Sequence, residues 1–263
     1  MIQTLADIQP LIIIAMLLLM YGIENIYPYL AKPANKKKHD FRNLLLVVIN
    51  FTINAVLSIL VVGVLTFVAK NQFGLLNWLP LSSVLQVILG VFLIDFGSYC
   101  GHILAHKVPF LWISHRVHHS DPNLNTSSSL RFHPFDTIYS QGFWQCFWFS
   151  LIGISMTSFI IYGTIFLPLL ICQHSNVQFP PLFEKYARYI ISTPAWHKIH
   201  HAADQRHTDS HYGDLFTIWD RLFGTWERVE PDEIKYGLVE FEGDSRQSLG
   251  FLLRAPFKKL RRN

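Results

Sequence analysis

The chain has 263 residues, of which 51% are apolar and only 15% charged, with a mean hydropathy of +0.27. Ordinary soluble domains carry about 25% charged residues, so this composition excludes a water-soluble globule or a disordered chain and points to a membrane protein. The net charge of +4 is too small to argue for a nucleic-acid partner.

The first apolar stretch, residues 8–30, is long enough to cross a hydrocarbon layer of about 30 Å. It lacks the basic leader and small-residue cleavage site of a signal peptide, and it runs into Tyr27 and Tyr29, which suit an interfacial belt. Residues 44–69 and 81–104 form two further spans. A fourth apolar region, residues 138–173, is longer than one span needs and is interrupted by Gly153, Ser155, Thr157 and Ser158. It reads as a hairpin of two helices. Cys100, Cys146 and Cys172 lie within these apolar stretches without CxxC spacing, as small buried hydrophobes do.

Charge placement orients the chain, because Lys and Arg are retained on the cytoplasmic side. With a hairpin over 138–173, every basic residue except Lys70 falls on one face. The N-terminus is then outside, with the histidine clusters and the C-terminus cytoplasmic. One tilted span over 138–173 would put the C-terminal basic residues on the opposite face from the basic loop at 32–42. From residue 182 onward the chain passes a short helical segment through Glu184 and Ile191 and a break at Pro194. The apolar positions from Leu215 to Trp226 recur at helical spacing and predict a helix lying in the interface. No separate core is expected for this cap.

The expected architecture is therefore all-α: a polytopic membrane bundle of three spans plus a two-helix hairpin, with a cytoplasmic histidine-rich helical cap. Its organisation reads as N-terminal transmembrane helices and a basic loop (1–80), a catalytic region (81–230) and a basic C-terminal tail (231–263).

Histidines carry the chemistry. His102 and His106 form HxxxH, four residues apart and so on one helix face. Alone, such a pair is more often structural or proton-handling than metal-binding. His115, His118 and His119 form HxxHH, and His197, His200 and His201 repeat it. Neighbouring residues on a helix diverge by about 100°, which lets adjacent imidazoles address different coordination positions. A solvated face would use better helix formers, and packed histidines would need partners for every ring nitrogen. His174, at the returning end of the hairpin, joins the same face only if the hairpin closes. Nine imidazoles exceed what one ion takes, so two metal ions are implied. All-nitrogen ligation suits several metals. Their position at the membrane face, beneath a hydrocarbon-like bundle, suits oxidation of an unactivated lipid C–H bond by O2, a task for redox-active iron.

In order, HxxxH, HxxHH, a lone His followed by Ser-Asn, and a second HxxHH resemble the fatty acid hydroxylase superfamily, also called the sterol desaturase family. Asp95, Tyr99, His102 and His106 resemble its Asp/Tyr/His helix, Arg131-Phe132-His133-Pro134 its RxHP segment, and Trp219-Asp220 through Thr225 its WDxxFGT tail. The resemblance covers roughly residues 91–226. It implies an integral membrane di-iron oxygenase that hydroxylates a sterol, fatty acyl or related lipid, with desaturation as the alternative. It departs at Ile103, where the family often has Arg, and at His211-Tyr212-Gly213, where the family usually reads Asn-Tyr-Gly. His211 is thus a candidate tenth ligand, or a donor behind the ligands. His133 reads as a group behind the ligands or a structural one, and His39 and His207 as solvent-facing. Asp95, two turns before His102, is either a catalytic group in the substrate channel or an internal tether between helices.

No dinucleotide fingerprint or haem-attachment motif occurs, so electrons are expected from an external reductase, cytochrome or ferredoxin. Two readings of other classes compete. A metal transporter would place its ligands near the midplane on broken helices. A bis-histidine haem protein would need facing histidines within the spans, and the first two spans have none.

Overall fold

The computed structural model describes residues 2–229 and 234–259. Arg261 and Arg262 of the expected basic tail lie outside the described residues. No β-strand is formed among the described residues, only two isolated bridges, so the architecture is all-α. Four helices are long and apolar enough to cross a membrane.

Helix α1 (Ile2–Ile26) and α2 (Lys36–Asn71) turn most of their apolar side chains outward: Leu18 is 70% exposed and Phe51 75%. That is the pattern of a surface solvated by lipid. The 36 residues of α2 rise about 54 Å at 1.5 Å per residue, well beyond one hydrocarbon thickness. Its first turns therefore stand in the polar layer, where Asn35 caps them by accepting from Lys38 N. A short helix, α3 (Leu75–Trp78), leads to α4 (Ser83–Lys107), capped by Ser82. Pro109 then ends one helix and starts another. Lacking an N–H, proline cannot continue α4 but fits the first turn of α5 (Pro109–His119). The chain bends there, and the two histidine motifs come face to face.

The hairpin forms as expected. Its first arm runs from α6 (Pro134–Thr137) through a π-helical segment (Ile138–Trp144) into α7 (Gln145–Ile152). Gly153, at φ +80°, supplies the left-handed turn, and Ser155 caps the returning helix α8 (Met156–His174). Gly97 and Gly101 on α4 let this arm come close, because a Cβ there would lie within 2.5 Å of the Trp148 and Trp144 indoles. Those indoles donate to the Leu93 and Gly97 carbonyls, both at 2.7 Å. The turn abuts α3, just beyond the far end of α2, where Asn77 Nδ2 donates to Gly153 O at 3.3 Å. The arm therefore reaches the end of the bundle opposite the histidines.

The cap consists of α9 (Pro181–Ala187), α10 (Pro194–His200), α11 (Gln205–Thr208), α12 (Ile218–Phe223) and α13 (Leu249–Arg254). The expected interfacial helix over 215–226 is only six residues long. Leu215 is drawn into the bundle core, and Gly224, at φ +70°, stops the helix, while Ile218, Leu222 and Phe223 stay exposed. The C-terminal region folds back, and Leu238, Phe241, Leu252 and Ala255 pack against Leu46, Trp112 and Val117. That core is shared with α2 and α5, so the cap has no core of its own.

Polar tethers fix the cap to the bundle. Buried Glu24, near the end of α1, accepts from Thr126 N at 2.8 Å and Asn176 N at 3.1 Å, and lies 3.3 Å from Lys36 Nζ. Asn43 and Asn50 on α2 bond Arg131 Nη1 and the Phe132 carbonyl at 2.8 and 2.6 Å. Isolated charges at this depth would be costly, and here each has partners.

Candidate metal centre

Nine of the ten histidines singled out as ligands converge in two groups. His102, His106, His115, His119 and His200 form one; His118, His174, His197 and His201 form the other. Within each group the candidate ligand atoms all lie within 4.8 Å of one another. The HxxHH spacing explains the partition. Its i,i+4 pair shares a face, and its middle histidine points about 100° away. Helix α5 accordingly gives His115 and His119 to the five-histidine set and His118 to the other. Helix α10 does the reverse, with His200 in the first set and His197 and His201 in the second.

Nε2 atoms meet at 3.2 Å between His115 and His119, and at 2.9 Å between His102 and His200. In the other set His174 lies 3.1 Å from both His118 and His197, and His197 lies 3.1 Å from His201. Ligand nitrogens about 2.1 Å from a shared ion stand about 3 Å apart at right angles, so these spacings fit metal coordination. Five nitrogens exceed the four of tetrahedral zinc.

In five of the nine rings the other nitrogen is partnered so as to aim Nε2 inward, while Nδ1 of His118, His119, His197 and His201 is buried without a hydrogen-bond partner. Nδ1 of His102, His174 and His200 faces the carbonyls of Tyr212, Leu170 and Ser210 at 3.0, 2.8 and 2.7 Å. Nδ1 of His115 faces Asp136 at 3.1 Å and that of His106 faces Asp209 at 3.3 Å, while His102 Nδ1 also lies 3.7 Å from Asp214. An Nδ1–H donated to such an acceptor leaves Nε2 as a lone-pair ligand and fixes the ring plane. Burial, and then the proximity of the other imidazoles, hold His118, His119, His197, His200 and His201 well below the ordinary histidine range. They are neutral at physiological pH, the form a metal requires.

The loop that supplies two of these carbonyls is itself held from α12. Asp220 accepts from Tyr212 N and Gly213 N, both at 2.8 Å, and from Thr225 Oγ1 at 2.7 Å. Burial pushes its carboxyl up to about 6, and that of Asp214 up to about 7. Lys198, between the ligands of α10 and itself buried, donates to the Ser175 and Val177 carbonyls at 2.8 and 2.9 Å. It thereby pins the end of α8 that carries His174.

Three sequence readings are corrected. His211 is not a ligand: its ring turns away, Nε2 accepts from Glu227 N at 3.0 Å, and the ring packs on Trp196. It occupies a left-handed backbone position, φ +55°, which asparagine tolerates better than most residues. Asp95 is a tether. Its two oxygens accept from Tyr162 OH, Leu215 N, Phe216 N and Trp219 Nε1 at 3.0, 2.9, 3.1 and 2.7 Å, joining α8 and the 215–219 segment to α4. Both oxygens are fully engaged, so Asp95 has no catalytic place. His39 is not solvent-facing but lies between Asp40 and Asp121, at 3.0 and 2.8 Å. His207 is only partly exposed, 3.4 Å from Glu227. His133 is structural, capping α6 by accepting from Phe135 N at 3.1 Å.

Sequence reasoning missed Asp136, Asp209, Asp214 and Lys198. Asp136 alone gave a signal, a carboxylate at the mouth of a long apolar run, where it needs a partner.

Residues 87–225 match the family model described as fatty acid hydroxylase. The alkylglycerol monooxygenase of Xenopus tropicalis is 31% identical over 148 residues, 56% of this chain and 31% of that protein. An ornithine lipid hydroxylase of Rhizobium tropici is 31% identical over 179 residues, 66% of this chain and 51% of that one. The human cholesterol 25-hydroxylase is 23% identical over 143 residues, 53% of this chain and 50% of that one. The matches thus span about a third to a half of these relatives' length. No solved structure matches the chain.

Proposed function

Because the chain belongs to the fatty acid hydroxylase family, we propose that it is a multi-pass membrane lipid hydroxylase whose five- and four-histidine sets each hold one iron ion. The observation that carries this reading is the convergence of nine imidazoles, eight buried and His102 partly so, with five Nε2 pairs 2.9–3.2 Å apart, at one end of the bundle. A transporter's ligands would lie along the crossing path, not at its end.

Iron held there supplies reductive activation of O2 and insertion of one of its atoms into a C–H bond. The chain's own groups set the conditions. Carbonyls and carboxylates at Nδ1 of His102, His106, His115, His174 and His200 keep those five imidazoles in the ligating tautomer. Asp136, Asp209 and Asp214 place carboxyl oxygens against the outer nitrogens of an otherwise neutral ligand set. Trp112, Phe132 and Tyr212 pack on the His119, His118 and His200 rings, limiting the access of water. Because the histidines stand where α4 and α8 end, the reacting carbon reaches them from the bilayer. Overall, one C–H becomes C–OH, and the second oxygen atom leaves as water after taking two electrons and two protons.

The electrons come from a separate donor, a reductase, cytochrome or ferredoxin, consistent with the absence of a nicotinamide or flavin fingerprint in the sequence. The basic residues gathered on the histidine face support a cytoplasmic placement of that end. Hydroxylation is favoured over desaturation because the relatives named above are hydroxylases and a monooxygenase.

The test supplies iron-loaded protein with a chemical reductant, a total lipid extract and isotopically labelled O2, and follows lipids by mass spectrometry. A product gaining one labelled oxygen atom is expected. A product that loses two hydrogens with no label would make the enzyme a desaturase, and no change in any lipid would overturn the proposal.

A further inference from the structure

On the side of α10 turned away from the histidines lies a cavity of about 590 Å³, roofed by α9 and by residues 226–229. Its lining is strongly basic. Lys185, Arg188, Arg221 and Arg228 line it, with the buried Lys198 at its wall; among the described residues Glu184, which accepts from Thr193 Oγ1, is the one carboxylate of the lining. Among the described residues, none of the four surrounding cations is in an ion pair. Like charges gathered on one cavity wall repel one another and favour an anion that neutralises them.

The site is also built to hold its geometry. The Arg221 guanidinium lies over the rings of Tyr189, Trp196 and Trp226, at 4.4, 5.1 and 5.4 Å from their centroids. Its Nη2 donates to the Arg188 carbonyl at 3.2 Å, while its Nε is buried without a hydrogen-bond partner. The Tyr29 hydroxyl at the same cavity is buried and equally unpartnered. Unsatisfied donors held by aromatic walls are what an anion would complete. A planar guanidinium fork matches the oxygens of a phosphate, and the volume is that of a small-molecule pocket.

The rim says where the anion comes from. Leu182 is 70% exposed, Ile190 65% and Leu222 67%, and Phe183 and Phe223 are exposed beside them. Leu182, Ile190 and Leu222 directly follow the lining residues Pro181, Tyr189 and Arg221 in the chain, a placement of exposed apolar groups beside a basic cavity that suits a membrane surface. We propose that this cavity binds the phosphate of an anionic membrane lipid, whose acyl chains lie along the exposed rim. The site is separate from the metal centre and depends only on the membrane placement, not on the iron chemistry.

The test uses full-length protein in nanodiscs of phosphatidylcholine alone or doped with phosphatidic acid, comparing wild type with the double variant Arg188→Gln/Arg228→Gln. Among the described residues neither guanidinium replaced there makes a hydrogen bond or ion pair. Lipid retained after detergent exchange is identified by mass spectrometry, and thermal midpoint and metal content are read alongside. Wild type is expected to retain phosphatidic acid about tenfold or more over phosphatidylcholine and to gain thermal stability from it. The double variant is expected to lose both effects while keeping wild-type metal content. Equal retention of the two lipids by wild type, or unchanged preference in the double variant, would overturn the proposal. So would full stabilisation of wild type in neutral discs by millimolar inorganic phosphate, which would make the site one for a soluble anion.

Discussion

Asp95→Asn separates a tether from a catalytic carboxylate. In the wild type each oxygen accepts two hydrogen bonds: Oδ1 from Tyr162 OH and Leu215 N, Oδ2 from Phe216 N and Trp219 Nε1. An asparagine amide keeps one acceptor and turns an NH2 toward the other two donors, whichever way it is flipped. At least one backbone N–H, buried where Asp95 is fully inaccessible, then loses its acceptor. Each stranded donor costs about 1–3 kcal/mol, which places the variant about 2–4 kcal/mol below wild type. For a chain of this size that lowers the thermal midpoint by on the order of 5–15 °C. The assay is thermal unfolding in detergent by tryptophan fluorescence, with metal content and lipid turnover measured well below the transition. The expected outcome is a large drop in midpoint, with metal content and turnover per folded molecule close to wild type. An unchanged midpoint with turnover abolished would refute the reasoning and return Asp95 to the chemistry.

The same geometry makes three further predictions. His197→Ala removes a ligand of the four-histidine set only, so metal analysis should show about one ion per chain in place of two, whereas His211→Ala should leave both. Asp136→Asn removes the anionic partner of His115 Nδ1 and should weaken metal binding about 10- to 100-fold in a competition titration, with little effect on the thermal midpoint of the metal-free protein. Metal-free protein should lose stability on acidification. His118, His119, His197, His200 and His201 titrate well below 6.5 when folded, so below that pH the unfolded chain takes up protons that the folded chain refuses. Stability is then full above about pH 7 and falls as pH drops through 6.5, by up to about 1.4 kcal/mol per pH unit for each such imidazole. Thermal midpoints flat across that range would contradict the neutral, buried state of these rings.

Much of this site was legible because its information is local. HxxxH and HxxHH are helix-period patterns, and α5 and α10 form where proline and the Thr193 cap start them. The hairpin too was local, marked by Gly153 and Ser155 in an overlong apolar run. What escaped the sequence depends on contacts between distant segments. Asp209 meets His106 across 103 residues, and the Asp95 tether spans 120 and more. His211 misled because its neighbourhood matched a ligand-bearing motif. Its orientation, however, is fixed by a backbone conformation that no spacing rule encodes. The run from Leu215 to Trp226 misled differently: periodicity reports which residues are apolar, not that Leu215 would be claimed by the bundle and Gly224 would end the helix early.

The central claim is that two separate histidine sets each hold an ion. Anomalous scattering at the iron edge from crystals of the iron-loaded protein tests it most directly. Two peaks are predicted, one among His102, His106, His115, His119 and His200 and the other among His118, His174, His197 and His201. A single peak shared by all nine rings, or iron bound elsewhere with both sets empty, would contradict it.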